Sequence, residues 1–280
     1  MNPNKLENLD NIDIEIPLLL EAIFQKYGYD FRNYSKAHIK RRLMHRMAIG
    51  KFESISLIQD KILRDKQFFV ELLADLSINV TEMFRDPDFY SSFRENIIPN
   101  LRTYPFIKIW HAGCATGEEV YSLAIMLKEE QLLDRCQIYA TDFNRKVLEV
   151  AKQGIYPTQD LDRFERNYIK SGGKGKLSDH YTTKYGSVKF DQNLSKKVVF
   201  ADHNLVTDDV FAEVNLILCR NVLIYFNRDL QAKVVNLFHK SLSSSGFLCL
   251  GTKESLRFTS QERNFTEIDV AQRIFKKRIG

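Results

Sequence analysis

Apolar residues recur at helical spacing through residues 14–76. They fall at Leu19, Ile23 and Phe24, then at Ile39, Leu43, Met44 and Met47, then at Phe69, Leu72, Leu73 and Leu76. The period predicts amphipathic helices, punctuated at Gly28 and Gly50. Residues 1–76 therefore read as a small helical N-terminal domain. Residues 77–105, SINVTEMFRDPDFYSSFRENIIPNLRTYP, read as a linker broken by Pro87, Pro99 and Pro105. From Phe106 the pattern changes to short apolar runs alternating with helical periods. IKIWHA, EEVYSLAIMLKEE, CQIYAT and NRKVLEVAKQG are followed, after an interruption, by KKVVFA, VNLILC, RDLQAKVVNLFHKSL and GFLCLG. Strand–helix alternation of this kind builds a mostly parallel sheet covered on both faces. The last two strands, near FTEID and AQRIFKK, have no helix between them and predict an antiparallel edge hairpin. The interruption, about 156–200, carries SGGKGK and the β-like HYTTKYGSVKF, with turn candidates at Gly186-Ser187 and Asp191-Gln192-Asn193. It reads as a small antiparallel β insertion opening on a flexible loop.

The predicted fold is thus α/β: a Rossmann-like, mostly parallel sheet over residues 106–280, preceded by the helical domain, an arrangement that resembles that of class I adenosylmethionine-dependent methyltransferases. Composition agrees with a globular protein, at 44% hydrophobic and 28% charged residues. No apolar run reaches bilayer length, and the acidic, polar start lacks a secretory signal's basic and apolar regions. We therefore expect a cytoplasmic protein without membrane insertion. Cys114, Cys136, Cys219 and Cys249 form no CxxC or Cys/His cluster, so neither a disulfide framework nor a metal site is expected.

The first sheet strand runs into HAGCATGEE. Gly113 and Gly117 permit a tight turn and a close approach to a ligand, and a helix begins at once, with its free N–H groups facing the same space. The spacing is neither GxGxxG nor GxxxxGK[ST]. Glu118 and Glu119 open the helix instead. Carboxylates there suit the helix dipole, repel a pyrophosphate and favour an ammonium or sulfonium group. Asp142 ends the second strand, 25 residues beyond Gly117, near the spacing at which a strand-end acid holds a ribose diol. The bland alternatives are a plain strand-to-helix turn and a helix-capping Asp142. The fourth strand ends in LCRNVLIYFNRD, without the Asn-Pro-Pro-Tyr-like tetrapeptide that amino-methylating relatives of this fold place there. That disfavours an adenine, cytosine or amide acceptor. A carboxylate is already ionised at neutral pH and needs no general base.

Several motifs coincide with one family. SINVTEMFRDP resembles the N-x-T-x-x-x-R stretch of CheR-type chemotaxis receptor methyltransferases, which esterify protein glutamates. HAGCATGEEVYSLA resembles their cofactor loop, and YATDFNRKVLEVAKQGIY, ADHNL, LCRNVLIYF and SGFLCLGTKESL follow in the family's order. Val120 departs from the Pro common there, a change of rigidity at the first helical turn. The resemblance implies that S-adenosylmethionine is bound and S-adenosylhomocysteine released. It implies that Asn79, Thr81 and Arg85 reach over the cofactor, that Glu118 contacts its methionine or ribose part and that Asp142 holds the adenosine. Asn204 and Leu205 would line the adenine pocket, with Arg220 and Asn221 beside the cofactor. Arg85 would steer the acceptor carboxylate and Tyr225 would orient it. The competing readings are an Arg85 paired with Asp86 or Asp88, a Tyr225 that only packs, and an Asn79 that caps a turn.

Net charge is +5, and its distribution is uneven. Between Phe31 and Phe52 stand Arg32, Lys36, Lys40, Arg41, Arg42, Arg46 and Lys51 with no acid. Such a face takes an acidic partner. With the resemblance, this implies docking to chemoreceptor cytoplasmic helices through Arg42 and Arg46, and no nucleic-acid partner. Some members of the family also add a receptor C-terminal peptide to the edge of the β insertion. A nucleic-acid methyltransferase and an inactive cofactor-binding signalling module are the alternatives to an active protein-glutamate O-methyltransferase.

Overall fold

The computed structural model describes residues 11–77, 81–257 and 259–279. They form two compact units. One holds the described residues up to Ser77 together with Tyr225–Leu230, and the other holds the remainder.

The first unit is built on four helices: α1 (Asn11–Tyr27), α2 (Lys36–Gly50), α3 (Ile55–Arg64) and α4 (Lys66–Leu76). Its core is the stripe expected from the periodicity, with Leu19, Ile23, Ile39, Leu43, Phe69, Leu72, Leu73 and Leu76 buried, and Ile55, Ile58 and Ile62 added from α3. Met44 lies outside that core and is exposed. The helix ends follow ordinary capping chemistry. Ser54 and Asp65 accept from the Leu57 and Phe68 amides, each satisfying an orphan donor of a first turn. Gly28 closes α1 in the left-handed region, whereas α2 ends on Lys51 at φ 53° rather than on Gly50. Tyr225–Leu230 joins this unit through backbone bonds: Ser35 N–H donates to Tyr225 O and Asn227 N–H to Asn33 O.

The second unit opens on α5 (Pro87–Asn96) and α6 (Ile98–Leu101). Two of the three prolines expected to break the linker instead start helices, while Pro105 lies in the bend before β1. Pro87 and Pro99 sit in first turns, where the missing N–H costs nothing and the fixed φ is already helical. Then come β1 (Ile107–Ala112), α7 (Glu118–Glu129), β2 (Cys136–Asp142), α8 (Arg145–Gln153), β3 (Ile155–Pro157), α9 (Leu161–Lys170), β4 (Tyr181–Lys184), β5 (Ser187–Phe190), α10 (Gln192–Ser195), β6 (Val198–Asp202), β7 (Val214–Cys219), α11 (Arg228–Ser241), β8 (Leu242–Leu250), β9 (Phe265–Asp269) and β10 (Ile274–Lys277). The main sheet runs β6-β2-β1-β7-β8-β10-β9. It is parallel from β6 to β8, and β10 is antiparallel to both neighbours. This is the mostly parallel, Rossmann-like arrangement with an antiparallel edge hairpin that the sequence predicts. Chain order reverses between β1 and β7, and open α/β sheets bind ligands at the carboxyl ends of the strands flanking such a switch.

The insertion folds as a separate antiparallel sheet, β3-β5-β4. Its hairpin turn is Tyr185-Gly186, both at positive φ, as a two-residue hairpin loop requires. Asp191-Gln192-Asn193 does not turn between strands; Asp191 caps α10, accepting from Asn193 N–H. SGGKGK is held rather than loose. Tyr168 Oη donates to Glu129 and accepts from Gly175 N–H at 3.0 Å, while Lys174 Nζ lies 2.8 Å from Glu130. A Cβ on Gly173 would strike the Tyr168 ring at 2.4 Å. No described helix is long and apolar enough to cross a membrane.

Candidate cofactor site

The site begins where β1 ends. Gly113 and Cys114 donate their N–H groups to Thr141 O at 2.8 and 2.9 Å, folding the loop onto the end of β2. Ala115 N–H donates to Asp142 Oδ2 at 3.0 Å, and Asn144 N–H to Asp142 Oδ1 at 2.9 Å. The cap of α8 is Asn144, which accepts from Lys146 N–H; Asp142 instead ties three segments together, since its own carbonyl accepts from His203 N–H at 3.3 Å. Each Asp142 oxygen receives one of these bonds, and a carboxylate has room for about four donors. Burial raises its pKa, against the pull of the Asn144 and Ala115 amides.

Both loop glycines are required by geometry. Gly113 and Gly117 stand at φ 75° and 92°. A Cβ on Gly113 would lie 2.5 Å from Val222 Cγ2, and one on Gly117 2.7 Å from Ala151 Cβ. The close approaches are thus to the loop after β7 and to α8, not only to a prospective ligand. Val222 follows β7, so the loops on the two sides of the switch point touch.

Glu118 and Glu119 open α7, are both nearly buried, and have opposite electrostatics. Glu118 accepts from Thr116 Oγ1 at 2.6 Å and makes no ion pair among the described residues. Burial pushes its carboxyl up to about 7, opposed by the Thr116 hydroxyl. Burial also acts on Glu119, but Arg220 overrides it and holds the carboxyl at about 2. Arg220, fully buried at the end of β7, lies 2.5 Å from Glu119 Oε1 and 2.8 Å from Asp86 Oδ2. It also donates to Arg85 O at 3.3 Å and lies 4.0 Å from the Phe89 ring centroid. Asp86 therefore pairs with Arg220.

Asn221, at φ 62°, is fixed from behind by a residue that the sequence reading did not single out. The buried Glu254 accepts from the amides of Asn221, Ile224 and Gly251. Its signal was present in GTKES, as an acid three residues beyond the glycine that follows β8. Asn221 Oδ1 is buried without a hydrogen-bond partner among the described residues. Asn204 shapes its own turn, its Oδ1 accepting from Val206 N–H at 3.0 Å, and Leu205 is buried beside it. Thr81 is half-buried at the start of the described linker. Asn79 lies outside the described residues.

The structure thus gathers Glu118, Asp142, Asn204, Leu205, Arg220 and Asn221 at the carboxyl ends of β1, β2, β6 and β7, with the Arg85 backbone tied to Arg220. Tyr225 and the basic helix belong to the first unit. There the Tyr225 ring meets His38 of α2 edge-on at 5.0 Å. Arg46 is not left without a compensating acid: it pairs with Asp75 and lies 3.5 Å from Glu71, both on α4. Lys40 pairs with Asp13. Arg42 is half-buried, its Nε without a partner among the described residues.

The donor set fits an adenosyl sulfonium. Among the described residues it offers a buried carboxyl without a cationic partner, a strand-end carboxylate with spare acceptor capacity, and an orphaned amide oxygen. Comparison with known proteins agrees. The family model described as CheR methyltransferase, SAM binding domain, matches residues 79–274, and the CheR methyltransferase all-alpha domain matches 14–77. Cher3 of Pseudomonas putida is 52% identical over 95% of this chain and 98% of its own. A chemotaxis protein methyltransferase of Vibrio anguillarum is 32% identical over 78% of this chain and 80% of its own. One of Borreliella burgdorferi is 29% identical over 92% and 94%. Sheet topology, the acid-opened helix after β1 and these matches lead to one conclusion: the chain belongs to the CheR methyltransferase family and is an S-adenosylmethionine-dependent methyltransferase.

Proposed function

We propose that this protein methylates glutamate side chains of chemoreceptors, giving the glutamate methyl ester and S-adenosylhomocysteine. The observation that carries the reading is the pairing of a buried, cation-seeking Glu118 with a family whose named relatives are chemotaxis methyltransferases. When bound, S-adenosylmethionine supplies an electrophilic methyl group on a cationic sulfur. Glu118 would contact its methionine or ribose part and Asp142 its adenosine, with Asn204, Leu205, Asn221 and the linker residues Asn79 and Thr81 completing the cradle. Arg85 orients the acceptor carboxylate by a charge-assisted hydrogen bond, and Tyr225 aligns it. The acceptor is anionic at neutral pH, so positioning and water exclusion, rather than a general base, are what the residues contribute.

The N-terminal helical domain serves receptor docking, with Arg42 the favoured contact. Arg46, committed to α4, supports the helix that presents it. Strand β4 is an edge of the insertion's sheet, suited to adding a receptor peptide as a further strand.

The test is incubation with radiolabelled S-adenosylmethionine and receptor-containing membranes. Base-labile label on the receptor supports the ester. Base-stable label, label on nucleic acid, or no label overturns it.

A further inference from the structure

Arg85 sits between two non-glycine residues in the left-handed region, Phe84 at φ 49° and Asp86 at φ 54°. Such backbone is strained and persists only where the surroundings over-determine it. Here they do. Ser122 Oγ accepts from Phe84 N–H at 2.8 Å, Asn167 Nδ2 donates to Met83 O at 3.1 Å, and Arg220 holds both Arg85 O and the Asp86 carboxylate. Arg220 is itself fixed from the other side by Glu119, whose second oxygen lies 3.6 Å from His111 Nε2. The guanidinium is fully buried, so each edge that faces Glu119, Asp86 or Arg85 O is closed to solvent. A buried ion-pair chain of this kind adds little net stability compared with apolar packing, so stability alone does not explain its presence. What it does fix is geometry.

We infer that Glu119 and Asp86 are positioning residues that act through Arg220 to set the backbone from which Arg85 reaches the acceptor. The Arg220 side chain then serves the acceptor geometry and is not a direct ligand of the cofactor. This rests on the role given to Arg85 above. A displaced catalytic group loses rate steeply with distance, so the effect falls on turnover and spares cofactor affinity.

The full-length protein is assayed with receptor-containing membranes as Asp86→Ala, Asp86→Asn, Arg85→Ala and the Asp86→Ala/Arg85→Ala double variant. Binding of S-adenosylhomocysteine is measured by calorimetry in each. Asp86 is 37% exposed, and a thermal midpoint taken for each variant separates a loss of turnover from a loss of fold. Asp86→Ala should lower kcat about tenfold with unchanged S-adenosylhomocysteine affinity. Asp86→Asn, which keeps the acceptor oxygen and tolerates the left-handed backbone, should recover most of that loss. On the Arg85→Ala background, Asp86→Ala should cost nothing further. Undiminished kcat, a loss that multiplies with that of Arg85→Ala, or a loss matched by weaker S-adenosylhomocysteine binding would each overturn the inference. Normal turnover in Arg85→Ala would remove Arg85 from the mechanism and this inference with it. Normal turnover in Asp86→Ala alone removes only the inference.

Discussion

Asp142 Oδ2 accepts the backbone N–H of Ala115 at 3.0 Å, across the gap between the β1 loop and the end of β2. The bond makes one carboxylate both a strut of the loop and a wall of the site. Ala115 is held at φ 47°, and the loop that carries Glu118 is set by the residue expected to hold the adenosine.

Glu118 should give cofactor binding a pH dependence. Its carboxyl is protonated below about 7 because burial disfavours the charge. A cationic ligand needs the ionised form, so affinity rises with pH. It gains about tenfold between pH 6 and 8 and levels off above, and binding releases a proton. Calorimetry of S-adenosylmethionine in buffers of different ionisation enthalpy measures both. Glu118→Gln should flatten the pH profile and abolish the proton release.

Glu119 should act on stability. Its folded pKa is depressed, so its contribution is present above the ordinary carboxylate range and is lost as pH falls towards about 2. Glu119→Ala leaves Arg220 buried without its main partner and should destabilise the protein by about 3–5 kcal/mol. Urea unfolding at neutral pH, with the wild type also followed into acid, tests both statements.

Gly117→Ala meets two obstacles, a left-handed backbone and a Cβ contact of 2.7 Å with Ala151. Neither is relieved by a flexible side chain. We expect a loss of at least ~2 kcal/mol in stability and a clear fall in S-adenosylmethionine affinity, seen in thermal midpoints with and without ligand.

Arg42 and Arg46 should separate experimentally. Arg46 is an element of the helical unit, paired with Asp75 and Glu71, and Arg46→Ala should lower stability by about 1 kcal/mol. Arg42→Glu should instead weaken receptor methylation, raising the KM for receptor without altering that for S-adenosylmethionine. Initial rates over a range of receptor concentration and salt distinguish the two.

The hydrophobic pattern alone identified the N-terminal helices and the order of the main-sheet strands, but not α5, α6 or α10, which lie where it pointed to a linker and a turn. Hydrophobic period separates the helical N-terminal residues from the alternating strands and helices, because burial of one face leaves its spacing in the chain. The acidic opening of α7 and the strand-end Asp142 were legible for the same local reason. Which charge meets which is settled by the folded chain. Glu118 and Glu119 are adjacent and chemically identical, yet one is raised to about 7 and the other held at about 2. The difference is Arg220, 101 residues away along the chain. Arg46 likewise finds its acids on α4, outside the basic segment, and SGGKGK is pinned by glutamates at the far end of α7. Electrostatic environment depends on distances through space, and a linear sequence records only distances along the chain.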